Sequence, residues 1–247
     1  MATNIRGVCV VKPPKIICVI PVLPSDLNIQ TLQSIMQQTV PVAFIILLTE
    51  KANAETLAAR VSKVLNDGIK HIRLENFDYI LRVDGDAAIP SNFIEANLKG
   101  SPDVLGLGCA MLIKISSLQK AMNAEFDPYC DDSAIHYQFM RHNMNVKPYT
   151  VQPLRLRQAG KTHDYTYWLE KGQVQYQLGF EPIHVLAKVR FNWRNILCLL
   201  GYFTALIKRK PKSDFAGYVR FHQLQRLIHP RKGFQALRGY TPFNKQQ

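Results

Sequence analysis

Little in this sequence points to a secreted, redox or zinc-ribbon protein. Its five cysteines (Cys9, Cys18, Cys109, Cys130 and Cys198) are odd in number and scattered, and no CxxC pair occurs among them. That spacing excludes a zinc ribbon and a thioredoxin-type dithiol. Cys18, inside Ile16-Ile17-Cys18-Val19-Ile20, behaves as a small hydrophobe. A reducing, cytoplasmic setting is expected. The amino terminus has no basic region followed by a long apolar stretch and a small-residue cleavage site, so no secretory signal is expected. Long apolar runs are also missing. Ile196–Ile207 offers twelve positions, whereas crossing about 30 Å of hydrocarbon takes roughly 20 residues of helix. Internal repeats and low-complexity tracts are absent.

Acid is what the C-terminal quarter lacks. Residues 1–184 hold 18 Lys/Arg and 17 Asp/Glu, whereas residues 185–247 hold 13 Lys/Arg and one acid, Asp214. The formal charge of +13 therefore belongs almost wholly to the tail. With no recognised binding motif beside it, that charge does not imply nucleic acid. Two parts are expected: a near-neutral domain over 1–184 and a basic, partly apolar helical segment over 185–247. At 247 residues with 47% apolar content, the chain can bury one substantial core.

What is present alternates between strand and helix patterns. Ile16–Leu23 is a β-branched run closed by Pro24-Ser25-Asp26, of the kind buried on both faces of a parallel sheet. Ile29, Leu32, Ile35 and Met36 recur at helical spacing. A strand at Val42–Leu48 and a helix carrying Leu57, Val61, Val64 and Leu65 follow. Short strands are expected at Ile69–Leu74 and Phe77–Val83, a short helix at Phe93–Leu98, and one long strand over Val104–Ile115. Gly106 and Gly108 in that last strand suggest a close approach to its backbone. Asp131-Asp132 opens a helix with Ile135, Phe139 and Met140 on one face, and Asn143 fits a left-handed cap at its end. Such alternation implies an α/β fold with a mainly parallel sheet flanked by helices.

The chemistry gathers at Asp84-Gly85-Asp86, where a strand ends. Ligands in open α/β sheets bind at the carboxyl ends of strands. In extended chain, residues i and i+2 point the same way, so both carboxylates can face one site, with Gly85 leaving room for a bulky group. Hard oxygen ligands suit Mg²⁺ or Mn²⁺, which in turn suits a departing diphosphate. A solvated turn would give the same triplet.

The segment Tyr79-Ile80-Leu81-Arg82-Val83-Asp84-Gly85-Asp86 with Ile89-Pro90 resembles the DxD region of family 2 glycosyltransferases of GT-A fold. Val19-Ile20-Pro21 and Leu32-Gln33-Ser34-Ile35-Met36-Gln37-Gln38 are similar to that family's first strand and following helix. Phe126-Asp127-Pro128-Tyr129-Cys130-Asp131-Asp132 is similar to its segment ending in an acidic pair. The resemblance covers about residues 16–180. It implies a nucleotide-diphosphate sugar as donor, Mn²⁺ or Mg²⁺ held by Asp86, with Asp84 at the ribose or the metal shell, and Asp132, next to Asp131, as general base with inversion at the sugar carbon. Pro21, Glu50, Gly85 and Lys161 would face the donor, and His163 would be a third metal ligand. Four features depart from the family pattern: an Asp-Asp pair instead of Glu-Asp, Thr49-Glu50-Lys51-Ala52 where a base-reading acidic run is common, Gln138 where arginine is frequent, and a short link between Val64 and Asp84. Asp131 and Asp132 would serve equally as a helix amino-terminal cap.

In the tail, Ile196–Ile207 is followed by Lys208-Arg209-Lys210-Pro211-Lys212, and Tyr218, Phe221, Leu224, Leu227 and Ile228 recur at helical spacing. That combination suits attachment to an anionic membrane surface, or else packing on the catalytic domain with solvated charge. The expected function is a metal-dependent glycosyltransferase, peripheral on the inner face of a membrane, acting on a glycan or lipid-linked acceptor. Two alternatives remain open from the residues: nucleotidyl transfer to a sugar phosphate, though no glycine follows Ile20, and a non-catalytic membrane-associated protein of the same fold.

Overall fold

The computed structural model describes residues 13–157, 164–189 and 192–228. A six-stranded sheet runs β2-β1-β3-β6-β5-β7. Its strands are β1 (Ile16–Pro21), β2 (Phe44–Leu48), β3 (Tyr79–Val83), β5 (Val104–Leu105), β6 (Ala110–Lys114) and β7 (Val146–Lys147). β1 pairs parallel with β2 and β3, and β5 pairs parallel with β7; β6 is antiparallel to both β3 and β5. A separate ribbon joins β4 (Ala87–Ala88) to β8 (Leu154–Arg155).

The unbroken apolar run of β1 follows from burial on both faces. Ile16, Cys18 and Ile20 pack on one side with Ile35 of α1 (Ile29–Met36) and with Phe93 and Ile94 of α3 (Phe93–Leu98). Ile17 and Val19 pack on the other, against Leu65 and Ile69 of α2 (Leu57–Ile69), Leu118 of α4 (Ile115–Met122), and Ile135 and Phe139 of α5 (Asp132–Arg141). Fully burying each such side chain is worth about 1.5–3 kcal/mol. Asn28 and Thr56 cap α1 and α2 through their side chains, and Asn143 takes the left-handed conformation (φ 54°) after α5.

Two expected strands are corrected. Ile69–Leu74 is the end of α2 and a tight turn. Its amides donate to nearby carbonyls, His71 to Gly68 and Ile72 to Ile69, which leaves nothing for a sheet ladder. The apolar stretch 104–115 is a hairpin and the start of α4. Gly106 (φ 79°) and Gly108 (φ 88°) reverse the chain between β5 and β6. The close approach expected there is made by Tyr149: a side chain on Gly106 would sit 2.1 Å from its ring.

Beyond β8 the chain is helical: α6 (Tyr165–Gln177), α7 (Pro182–Ala187), α8 (Asn195–Ile207) and α9 (Ala216–Ile228). α6 and α8 touch backbone to backbone. A Cβ on Gly172 would lie 1.9 Å from the Cys198 carbonyl, and one on Gly201 would lie 2.0 Å from that of Leu169. Residue 184 falls within α7. Among the described residues, no helix is long and apolar enough to cross a membrane.

Candidate active site

The parallel register aligns three strand ends. Pro21 of β1 faces Leu48 of β2, and Val19 faces Arg82 of β3, so Pro21 lies level with Asp84. Past this edge the chain turns tightly, and local bonds hold it. The amides of Ala87 and Asn28 donate to the carbonyls of Asp84 (3.1 Å) and Gly85 (2.8 Å), and the Leu156 amide donates to that of Asp86 (2.8 Å). The Thr31 hydroxyl also donates to the Gly85 carbonyl (3.0 Å). Asp84 and Asp86 therefore project from a fixed backbone. The space expected beside Gly85 is taken by the chain itself, because a Cβ there would lie 2.2 Å from Val22 Cγ2. Gly85 thus serves the packing of Val22, a correction to its expected role of leaving room for a donor.

Arg82, only 5% exposed, organises the charges. Its guanidinium reaches Asp84 Oδ1 (2.6 Å) and Asp131 Oδ2 (2.8 Å), and it donates to the Gly108 carbonyl (2.6 Å). The DxD turn and the Asp131-Asp132 pair, 46 residues apart as counted from Asp86 to Asp132, are joined through this one side chain. A second guanidinium, Arg155, comes from β8, whose register sets it opposite Ala87. There it acts electrostatically on Asp84 and Asp86 and engages the Cys109 thiol.

The four acids have different surroundings. Burial raises the Asp84 carboxyl, with Arg82 and Arg155 pulling the other way. Burial also raises Asp131, against the attraction of Arg82 and helped by the neighbouring Asp132 charge. Asp132 moves down: burial opposes ionisation there too, but the Cys130 thiol (3.1 Å), Arg82 and the Ser133 amide outweigh it. A proton taken up by the pair therefore goes to Asp131, and Asp132 stays ionised. Among the described residues, nothing hydrogen-bonds the half-buried Asp86 carboxylate.

The expected cap is corrected in part: the Asp131 side chain makes no capping bond and turns to Arg82, while Asp132 accepts from Ser133. Cys130, Asp131 and Asp132 place ligand atoms within 4.8 Å of one another. They suit a cation poorly, because burial keeps the Cys130 thiol protonated and Arg82 occupies Asp131. Asp86 supplies free hard oxygens and fits Mg²⁺ or Mn²⁺ better. Asp84, though Arg82 holds its Oδ1, is more exposed than Asp131 and keeps its second oxygen for a cation.

Of the remaining expected donor residues, Pro21 lies at the same sheet edge, and Glu50 is exposed two residues past β2. Lys161 and His163 lie outside the described residues. Sequence reasoning missed Arg82 and Arg155. The first was readable as the single charge in the buried strand Tyr79–Val83. The second sits in a two-residue exposed strand and left no signal. It also missed how the acidic loop is fastened: Asp127 accepts from the Ser213 hydroxyl (3.0 Å), and Asp214 accepts from Gln138 (3.0 Å) and pairs with Arg141 (3.1 Å).

No protein-family model matches the sequence, and no curated protein is similar to it. Among solved structures, it is similar to the mannosyltransferase PcManGT from Pyrobaculum calidifontis in complex with GDP-Man and Mn²⁺. The TM-score is 0.50 at 12% identity, over 93% of this chain and 85% of that one. S. aureus TarS gives a TM-score of 0.44 at 13% identity, over 69% of this chain and 41% of that one. At such identities the likeness bears on architecture alone, and the chain has a GT-A-type fold: a mixed, mainly parallel sheet flanked by helices.

Proposed function

We propose that the protein is a metal-dependent, inverting glycosyltransferase of the family 2 type. One observation carries this reading: Arg82 gathers a DxD turn and a second acidic pair at one strand edge of a GT-A-type sheet. The GDP-Man and Mn²⁺ bound to PcManGT support a nucleotide-diphosphate sugar and a divalent cation here. Asp86, with Asp84 beside it, would hold the cation, which when bound neutralises the departing diphosphate.

Asp132 is the base. Asp131 has the greater proton affinity, but it is buried and paired with Arg82, whereas Asp132 is partly open to solvent. The acceptor hydroxyl loses its proton to Asp132 as its oxygen bonds to the anomeric carbon. The bond from that carbon to the diphosphate breaks, and its electron pair leaves with the phosphate oxygen. Attack opposite the leaving group inverts the centre.

The segment 185–247 is read as a membrane-facing appendage of a catalytic domain over 1–184, placing the enzyme at the inner face of a membrane beside a lipid-linked or glycan acceptor. On α8, Ile196, Leu200, Phe203 and Ile207 form an exposed stripe opposite the buried Cys198, Tyr202 and Ala205, with Lys208 and Arg209 at its end. This pattern supports that reading.

A thermal-shift series with UDP-, GDP- and dTDP-sugars and Mn²⁺ tests the donor site. We expect Asp86→Asn to abolish the Mn²⁺-dependent stabilisation. We expect Asp132→Asn to retain it while turnover falls by about 10²–10⁴-fold. Unchanged turnover in Asp132→Asn would remove the base assignment.

A further inference from the structure

His136 is a buried histidine that the chemistry above leaves unused. It lies in α5 one helical turn after Asp132, so any slide of the helix moves both residues together. Only 4% of it is exposed. Its Nε2 meets the carbonyl of Gly106, in the turn between β5 and β6. A carbonyl only accepts, so Nε2 carries the hydrogen and donates it. Burial lowers the imidazole below its ordinary range, against the pull of that carbonyl and the Asp132 charge, and the ring is neutral at neutral pH.

The far end of the same turn belongs to the DxD side of the site. The Gly108 carbonyl accepts from Arg82 (2.6 Å), and the Cys109 carbonyl accepts from the Asp84 amide (2.8 Å). Tyr149 braces the middle: its hydroxyl accepts from the Leu107 amide (3.1 Å) and donates to the Ala110 carbonyl. Residues 106–110 are thus tied in turn to α5, to Tyr149 and to β3 with its acidic end. The turn is a strut. α5 also rests on the sheet through Ile135 and Phe139, but apolar packing has no direction. The His136 bond has one, and it stops the helix from sliding along its own axis.

We propose that His136 is a positioning residue: through the 106–109 turn it sets the separation between Asp132 and the DxD turn. His136 acts on the reaction only through Asp132, so the inference rests on the proposed role of that residue as base. A misplacement of about 1 Å can lower a rate roughly 10²-fold.

The first test needs no substrate. Imidazole ¹⁵N–¹H spectra of the whole protein at pH 7.5 are compared with those of His136→Gln, which identifies the His136 signals by their loss. The expected result is an Nε2–H tautomer whose proton exchanges slowly with water. An Nδ1–H tautomer, or a proton lost to rapid exchange, overturns the inference. The second test follows release of nucleoside diphosphate from the nucleotide sugar that the thermal-shift series selects. His136→Leu, which has nothing to donate, should lower kcat about 10²-fold, with the donor KM and the Mn²⁺-dependent stabilisation unchanged. His136→Gln, whose amide can donate to Gly106, should recover most of that loss. Equal losses in both variants, or a raised KM with kcat unchanged, would make His136 a packing residue only. If His136→Leu does not melt cooperatively, His136→Gln decides: turnover near the parent supports the inference, and a loss of about 10²-fold overturns it. Adding His136→Leu to Asp132→Asn should cost no further rate, because position matters only while the base is there; a second full loss overturns the inference. Unchanged turnover in Asp132→Asn removes the base and this inference with it, whereas a fall there without one in His136→Leu overturns this inference alone.

Discussion

Removing the Arg82 guanidinium would leave the Asp84 and Asp131 carboxylates facing each other with no countercharge at a dry strand end. Breaking a buried pair by deleting one partner costs about 3–5 kcal/mol, so Arg82→Met should lower the urea midpoint sharply. The loss should depend on pH with a definite sign. Without Arg82, both folded-state carboxyls rise further above their unfolded values, so the native state binds more protons than the unfolded chain. Stability then falls as pH rises. The gap between parent and variant is expected to widen from acid to neutral pH in parallel urea titrations; a constant gap would mean that Arg82 acts by packing rather than charge. Arg82 was legible as a lone charge in an apolar strand, and Asp84, Asp86, Asp131 and Asp132 were legible by their place at a strand end and a helix start. Arg155 was not, because a two-residue strand carries no period for a pattern to show.

At the scale of elements, α6 and α8 approach so closely that backbone meets backbone. Gly172 and Gly201 let the two helices meet without side chains between them. Gly201→Ala would drive a methyl into the Leu169 carbonyl. Since backbone cannot step aside as a flexible side chain can, the expected cost is about 1–3 kcal/mol, or roughly a 2–12 °C fall in Tm at about 2–4 °C per kcal/mol. An unchanged melting curve would refute the contact. The elements that sequence reasoning recovered well, such as β1, α2 and α5, owe this to burial that repeats along their whole length. The hairpin at 104–115 was read as one strand because both of its arms are apolar, and what divides them is the backbone sign at Gly106 and Gly108. The turn after Ile69 was misread for a related reason: Ile69 and Ile72 pack on the sheet from a helical turn, so their hydrophobicity says nothing of the hydrogen bonding.

For the whole molecule, the asymmetry of charge and the exposed stripe of α8 point outward together. Ile207 is 80% exposed, at the end of a face whose opposite side is fully packed. Apolar side chains that enter a bilayer gain about 1.5–3 kcal/mol each, and each nearby basic residue adds about 1 kcal/mol on an anionic surface. Leu200→Ser with Phe203→Ser should therefore lower co-sedimentation with phosphatidylserine vesicles at least tenfold, with the fold kept because both side chains face solvent. Equal sedimentation of parent and variant would sink the membrane reading. Adding salt should weaken binding as well, since exposed charges are screened within about 10 Å at 0.1 M.

Ser213 and Asp214 give this asymmetry a consequence of its own. They sit in the acid-poor tail, yet they fasten the loop that carries Asp131 and Asp132, through Asp127, Gln138 and Arg141. The polypeptide that would rest on the lipid is thus buckled directly to the polypeptide that would take the acceptor's proton. Trimming the protein at residue 207 would remove these bonds and unfasten the acidic loop from behind.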